Sequence, residues 1–292
     1  MARSLFVFGL GFTGERFAER MRADGWTVAG TATSEEKAEA LCAGGFGAQR
    51  YDGTAKLADP DPLLSATHVL STVPPGEDGD PVLRHHFDDI ADGPDIEWIG
   101  YLSTTGVYGD TNGGWVDESA PLKATTERAI RRVAAEAQWH DLWWEQGQPV
   151  HVFRLAGIYG PGRSAIDQLQ GGRAKRIYKA GHAFSRIHVD DIVTVLAASV
   201  AAPDPGTVYN VCDDLPAGPD EVVAYAADLL GVEPPPLVPY HEAEADMSAM
   251  ARSFWQDNRR VRNARIKDAL GVRLRYPSYR EGLRAILVQG ES

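Results

Sequence analysis

The stretch Leu102–Asp110 reads LSTTGVYGD: three hydroxyl side chains in a row, Ser103, Thr104 and Thr105, then Tyr108 three residues after the last. Hydroxyls at a strand end can orient a carbonyl or an alcohol, and a phenol can pass a proton. A second group of this kind is GLGFTG, in which Gly9, Gly11 and Gly14 have GxGxxG spacing. Gly9 permits a tight turn and Gly11 lets a pyrophosphate approach the backbone. Gly14 lets a helix pack close to a strand, and Phe12 and Thr13 open that helix, whose N-terminal N–H groups face phosphate oxygens. Together the two motifs point to chemistry on a dinucleotide and a small carbonyl or hydroxyl substrate.

Which dinucleotide is decided near the end of the next strand. An NAD site carries an acid there for the ribose 2′-OH. Here the residues are GTATSEEK, with Thr31, Thr33 and Ser34 at those positions and Lys37 one turn into the following helix. Hydroxyls, a helix N-terminus and a lysine suit a 2′-phosphate better, so NADP is favoured over NAD. Asp52, after the third strand, is placed to accept from the adenine amino group or to serve the turn at Gly53.

These motifs need a frame. SLFVFG (Ser4–Gly9) is a continuous apolar run ending in glycine, which reads as a buried parallel strand. A helix to Gly25, a strand Thr27–Thr33 and a Ser34-capped helix follow. GAQRYDG, His68–Pro74, Ile96–Thr104 and Pro149–Gly160 read as further strands. Helices are expected at Pro81–Ala91 and Ala124–Gln146. This alternation predicts an α/β fold, a doubly wound parallel sheet, over residues 1–160. Beyond it, GPGRSAIDQLQGG is turn-rich. Asp190 and Asp191 of RIHVDD are expected to cap the helix Ile192–Ala201, Thr207–Cys212 reads as one more strand, and Pro219–Leu230 as a helix. Residues 161–292 then form mainly a smaller substrate lobe, with 186–212 returning to the sheet.

Composition sets the outer bounds. Of 292 residues, 43% are hydrophobic and 24% charged, and 29 Lys plus Arg against 41 Asp plus Glu give a net charge of −12. That excess argues against nucleic acid or an anionic membrane as the main partner. Two cysteines, Cys42 and Cys212, stand far apart without a CxxC, which suits a reducing cytoplasm and leaves no cysteine-built metal site. The apolar start is short and interrupted by glycine, and no run approaches the ~18 apolar residues of a membrane helix, so a cytoplasmic location is expected.

GLGFTG, STTGVYGD, RLAGIYGPGR and RIHVDD, in this order and spacing, resemble the extended short-chain dehydrogenase/reductases, the NAD-dependent epimerase/dehydratase family. The resemblance runs over nearly the whole chain. It implies a Rossmann domain, a C-terminal substrate lobe and a dinucleotide lying across the strand ends. It carries cofactor contact to Thr72, Val73 and Pro74 at the end of one strand, to Ser103, and to Leu155 and Ala156 within another. It also implies a site where a Ser or Thr, a Tyr and a Lys act together. The family's hydroxyl lies three residues before VYG, which is Thr104.

The Tyr and Lys are the departure. The family's YxxxK lies on the helix after a DE-x-x-P turn, and here those positions hold Arg128 and Arg132. None of the ten tyrosines is followed by lysine four residues on; only Tyr159 and Tyr276 have an arginine there, Arg163 and Arg280. Arginine stays protonated and is a poor proton shuttle, although Arg132 can stand in as a cation and Arg128 can clamp an anion. Tyr108, Lys123 and His188 are the remaining acid/base candidates, with His188 reading first as a core histidine. In the family's nucleotide-sugar enzymes an arginine lies four residues before this histidine; Phe184 stands there, which weakens a UDP-sugar reading.

Trp139 and Trp143 share a face of the arginine helix, a core face or, as in many relatives, a homodimer contact. The basic tract Asn258–Pro277 reads as a salt-bridged surface face, with an anionic substrate group as the alternative. The sequence therefore supports two functions. One is an NAD(P)-dependent oxidoreductase or isomerase with an altered site; the other is a dinucleotide-binding sensor or regulatory protein without turnover.

Overall fold

A computed structural model of the chain describes residues 3–93 and 95–290. The central sheet has seven parallel strands: β1 (Ser4–Phe8), β2 (Thr27–Ala32), β3 (Gly47–Arg50), β4 (His68–Ser71), β5 (Trp98–Thr104), β6 (Val150–Leu155) and β7 (Val208–Val211). Their order is β7-β6-β5-β4-β1-β2-β3. In β1, β4 and β6 almost every side chain is buried, the pattern of strands covered on both faces. The order reverses beside β1, which places the β1 turn and the β4 end at the switch point where such sheets bind ligands.

Four helices frame that edge: α1 (Phe12–Ala23), α2 (Glu35–Ala43), α3 (Pro81–Ala91) and α4 (Glu127–Gln146). The Ser34 hydroxyl caps α2 by accepting from the Lys37 N–H, as expected from its position. Helix α3 begins at proline behind Asp80, whose carboxylate accepts from the N–H groups of Val82 and Leu83. Helix α4 starts three residues later than its pattern suggests, and the Thr125 hydroxyl just before it donates to Asp257.

The chain divides into two compact units. Among the described residues, the first holds 3–93, 95–104, 127–154 and 193–209; the second holds 105–126, 155–192 and 210–290. The first has a core of Phe6, Phe8, Val69, Ile99, Tyr101, Trp139 and Val152, in which Trp139 stacks on Tyr101 with centroids 5.3 Å apart. Trp144, on the same helix, is exposed. In the second, Tyr159, Ile166, Val222, Tyr279 and Leu283 pack together. Its basic tract is ion-paired, Arg259 with Asp257 at 3.0 Å and Lys267 with Asp214 at 2.5 Å.

Three expectations are corrected. The run 149–160 is not one strand: after Ala156 the Gly157 N–H donates to Ser185, and Gly157–Tyr159 pairs with Arg186–His188 in a separate two-stranded sheet. The turn-rich stretch contains a helix, Ala165–Gln170, held by a reciprocal capping box between Ser164 and Asp167. Asp190 and Asp191 do not cap the next helix, which begins at Val189; the buried Asp191 carboxylate instead accepts from the backbone N–H groups of Arg275 and Tyr276. No helix among the described residues is long and apolar enough to cross a membrane.

Candidate functional site

The glycine turn is gripped from both neighbouring strands. Gly9 has φ +90, and a Cβ there would lie 2.5 Å from Thr72 Oγ1. The Thr72 hydroxyl donates to Gly9 O at 2.7 Å, and the Gly9 N–H donates to the Thr31 hydroxyl at 2.9 Å. Thr31 and Thr72 thus fix the turn, the Thr31 hydroxyl by accepting from Gly9.

The other two glycines differ from each other. A Cβ on Gly14 would sit 2.4 Å from Gly9 O, so α1 and β1 can approach only without it. A Cβ on Gly11 would meet nothing within 4 Å. The protein's own packing does not require glycine at 11; the open space there is what an approaching phosphate needs. Gly11 is the N-cap of α1 and no side chain caps that helix, so its first turn presents backbone donors and the positive end of its dipole. Thr13 is buried in that turn, and Arg16 lies over the Phe12 ring at 4.1 Å.

At the end of β2, Thr33 is exposed and Lys37 forms an exposed pair with Glu15 at 3.1 Å. Asp52 accepts from the Thr54 hydroxyl and N–H and pairs with Arg50 at 2.7 Å; the Thr54 bonds hold its carboxyl below the usual range. After β4, Thr72 and Val73 are half-buried and Pro74 is exposed, while Leu155 and Ala156 close β6 as buried residues.

The end of β5 carries the hydroxyl row. Ser103 is buried and its hydroxyl donates to Glu136 on α4, while Thr104, the last residue of the strand, is partly exposed. Glu136 in turn receives Arg154, Nη2 at 2.7 Å and Nε at 3.1 Å, so serine, glutamate and arginine form one buried network. One turn earlier on α4, Arg132 donates through Nη1 to Leu102 O at 2.7 Å and to Tyr101 OH at 3.0 Å. Arg128, a further turn back, is exposed. Burial raises the Tyr101 phenol pKa well above its ordinary value, which with its enclosed position removes it as a proton donor to a ligand.

In the second unit, Tyr108 is buried and donates to the Asn210 side chain at 2.7 Å, a bond that serves the fold. His188 is buried against Tyr276, with ring centroids 4.2 Å apart, and accepts from the Asp190 N–H. Lys123 donates its N–H to Val107 O, and its side chain is exposed.

Sequence reasoning missed Glu136, Arg154 and Asp80. Arg154 carried a signal, a charge inside a continuous apolar strand, which demands a buried partner. Glu136 lies four residues after Arg132 and so shares its face. Asp80 is buried and accepts from Trp139 Nε1 at 3.0 Å; burial pushes its carboxyl up.

The NAD dependent epimerase/dehydratase family model matches residues 94–212. Protein YeeZ of Escherichia coli is 31% identical over 244 residues, covering 80% of this chain and 86% of that one. The structure of a conserved protein of unknown function from Silicibacter pomeroyi is 47% identical, with TM-score 0.90 and full coverage of both chains. A dTDP-glucose 4,6-dehydratase from Bacillus anthracis, solved in complex with NAD, has the same fold at 16% identity, with TM-score 0.79 over 100% of this chain and 97% of that one.

Proposed function

The chain belongs to the NAD-dependent epimerase/dehydratase family, and from that premise we propose that it binds a nicotinamide dinucleotide and works as an oxidoreductase or isomerase on a small carbonyl or hydroxyl substrate. The observation that carries this is the cradle at Gly11: a position with free space on its Cβ side, at the uncapped start of α1, on a turn fixed by Thr31 and Thr72. Bound there, the dinucleotide supplies the hydride donor or acceptor. The chain supplies the rest. Gly9, Gly11, Phe12, Thr13 and Gly14 hold the pyrophosphate, and Thr72, Val73, Pro74, Leu155 and Ala156 line the strand ends. Thr104 orients the substrate oxygen. Arginine cannot shuttle the proton, so another residue, water or the substrate itself takes that part.

NADP is the preferred form. No acid follows β2 before Glu35, and Thr33, Ser34 and Lys37 stand at the start of α2. The Lys37–Glu15 pair is exposed and worth no more than about 1 kcal/mol, so a 2′-phosphate displaces Glu15 easily. Fluorescence titration with NADPH and NADH tests both statements. Tight NADPH and weak NADH binding is expected; tight NADH alone overturns the preference, and binding of neither overturns the function.

A second reading, a dinucleotide-binding sensor without turnover, draws on the arginines at the YxxxK positions. The Thr104→Ala variant separates the two. For an enzyme it lowers turnover strongly and leaves dinucleotide affinity nearly unchanged; turnover unaffected by the change removes Thr104 from the site.

A further inference from the structure

Arg132 differs from the other cations around the strand ends of the first unit. Arg131 pairs with Glu77 and Glu127, Arg154 with Glu136, Arg84 with Asp78 and Lys37 with Glu15. Arg132 has no carboxylate within 4.0 Å among the described residues, although Glu136 is one turn away; Glu136 is already committed to Ser103 and Arg154. Asp80 is likewise engaged, by Val82, Leu83 and Trp139.

The guanidinium is nonetheless fixed. Both of its hydrogen bonds to the described residues use Nη1, one to Leu102 O and one to Tyr101 OH, and it lies over the Tyr101 ring at 5.5 Å. Two N–H groups of Nη1 thus tie it to β5, the strand that ends in Thr104 two residues later. Nε and Nη2 have no partner among the described residues. That pair is the planar edge with which arginine grips a carboxylate through two parallel bonds. A half-buried, immobilised cation with that edge unused and no carboxylate in direct contact has the make-up of an anion receptor.

We propose that Arg132 binds a carboxylate of the substrate, so that the substrates of this protein are carbonyl or hydroxyl acids. The inference rests on the dinucleotide-binding reading. It assigns the residue at the family's lysine position to the substrate and takes it away from the nicotinamide ribose. A carboxylate is preferred to phosphate because its single charge is balanced by one guanidinium, whereas a phosphate monoester carries about −1.5 to −2 at neutral pH.

The test uses the full chain saturated with whichever of NADPH or NADH binds, and calorimetry with benzoate, its neutral counterpart benzamide, and inorganic phosphate. Benzoate is expected to bind and benzamide not. Arg132→Gln should weaken benzoate by about tenfold or more, the loss of one charge-assisted contact, with dinucleotide affinity unchanged. Arg132→Lys, which keeps the charge and loses the fork, should fall between the two and guards against a misfolded Gln variant. Three results overturn the assignment: no benzoate binding to the loaded protein, phosphate binding in its place, or dinucleotide affinity falling in Arg132→Gln while benzoate is unaffected. The last would make Arg132 a cofactor contact. Failure of both dinucleotides to bind overturns the underlying function, and this inference with it, and is read before any anion is added.

Discussion

Arg154 and Glu136 form a two-pronged ion pair inside the first unit, with Nη2–Oε2 at 2.7 Å and side-chain exposures of 6% and 3%. The pair joins β6 to α4, and the Ser103 hydroxyl completes it from β5. It therefore sets the helix that carries Arg132 against the strand that carries Thr104. Removing one partner strands a charge in the core. Glu136→Gln is expected to cost about 3–5 kcal/mol in denaturant unfolding, whereas replacing both partners, Glu136→Leu with Arg154→Met, should restore most of that loss. A double variant no better than the single one would show that the pair contributes more than it costs to bury.

Much of this frame was legible in the sequence because it rests on local rules. Strands buried on both faces are continuous apolar runs, Ser34 caps α2 from its position, and the bounds of Pro81–Ala91 and Pro219–Leu230 follow from proline at the start and the end of the apolar period. What was not legible depends on pairing between elements distant in sequence. Spacing put Thr31 at the ribose, yet the fold turns its hydroxyl onto Gly9, 22 residues away. Ser103 looks like its neighbour Thr104 in the string, but alternation along β5 sends its hydroxyl to Glu136. The helix Ala165–Gln170 hid among glycines, although Ser164 and Asp167 carried its capping signal. Arg132 was legible as a cation, but its lack of a carboxylate partner was not.

His68 lies in β4 with its ring edge-on to Trp26, and burial, with a smaller contribution from Arg3, pushes its pKa down to about 4. The folded protein keeps this imidazole neutral, while the unfolded chain takes up a proton near pH 6.5. The resulting stability is full above pH 6.5 and is lost as pH falls toward 4, to a limit of about 3 kcal/mol. His68→Gln should flatten that part of the stability–pH curve. His182, depressed to about 4 as well, keeps a residual slope in the variant. An unchanged slope in His68→Gln would mean that His68 is protonated in the folded state.

Asp213 gives the opposite sign. It is buried at the end of β7 with Oδ2 unpartnered, and burial raises its pKa to about 8 against the lowering effect of Arg186. The folded protein holds a proton that the unfolded chain releases near pH 4. Stability from this group is therefore full below pH 4 and lost as pH rises through 8. Asp213→Asn, which mimics the protonated form, should raise the unfolding midpoint at pH 8 and have no effect at pH 4. Equal effects at both values would mean the change acts through packing and not through the proton.

Gly11 and Gly14 separate folding from binding most directly. At Gly14 an added methyl would meet Gly9 O at 2.4 Å, backbone that cannot yield. Gly14→Ala is therefore expected to destabilise the protein by about 1–3 kcal/mol, with dinucleotide binding falling as a consequence. At Gly11 the backbone has φ −98, which any residue adopts, and the methyl would enter open space. Gly11→Ala should leave stability within about 0.5 kcal/mol of the original. Its affinity for NADPH should nevertheless drop, because the methyl takes the room of a phosphate oxygen. Thermal unfolding and fluorescence titration on the two variants give the comparison. If Gly11→Ala binds NADPH as tightly as the unchanged protein, the cradle at the start of α1 does not hold the pyrophosphate.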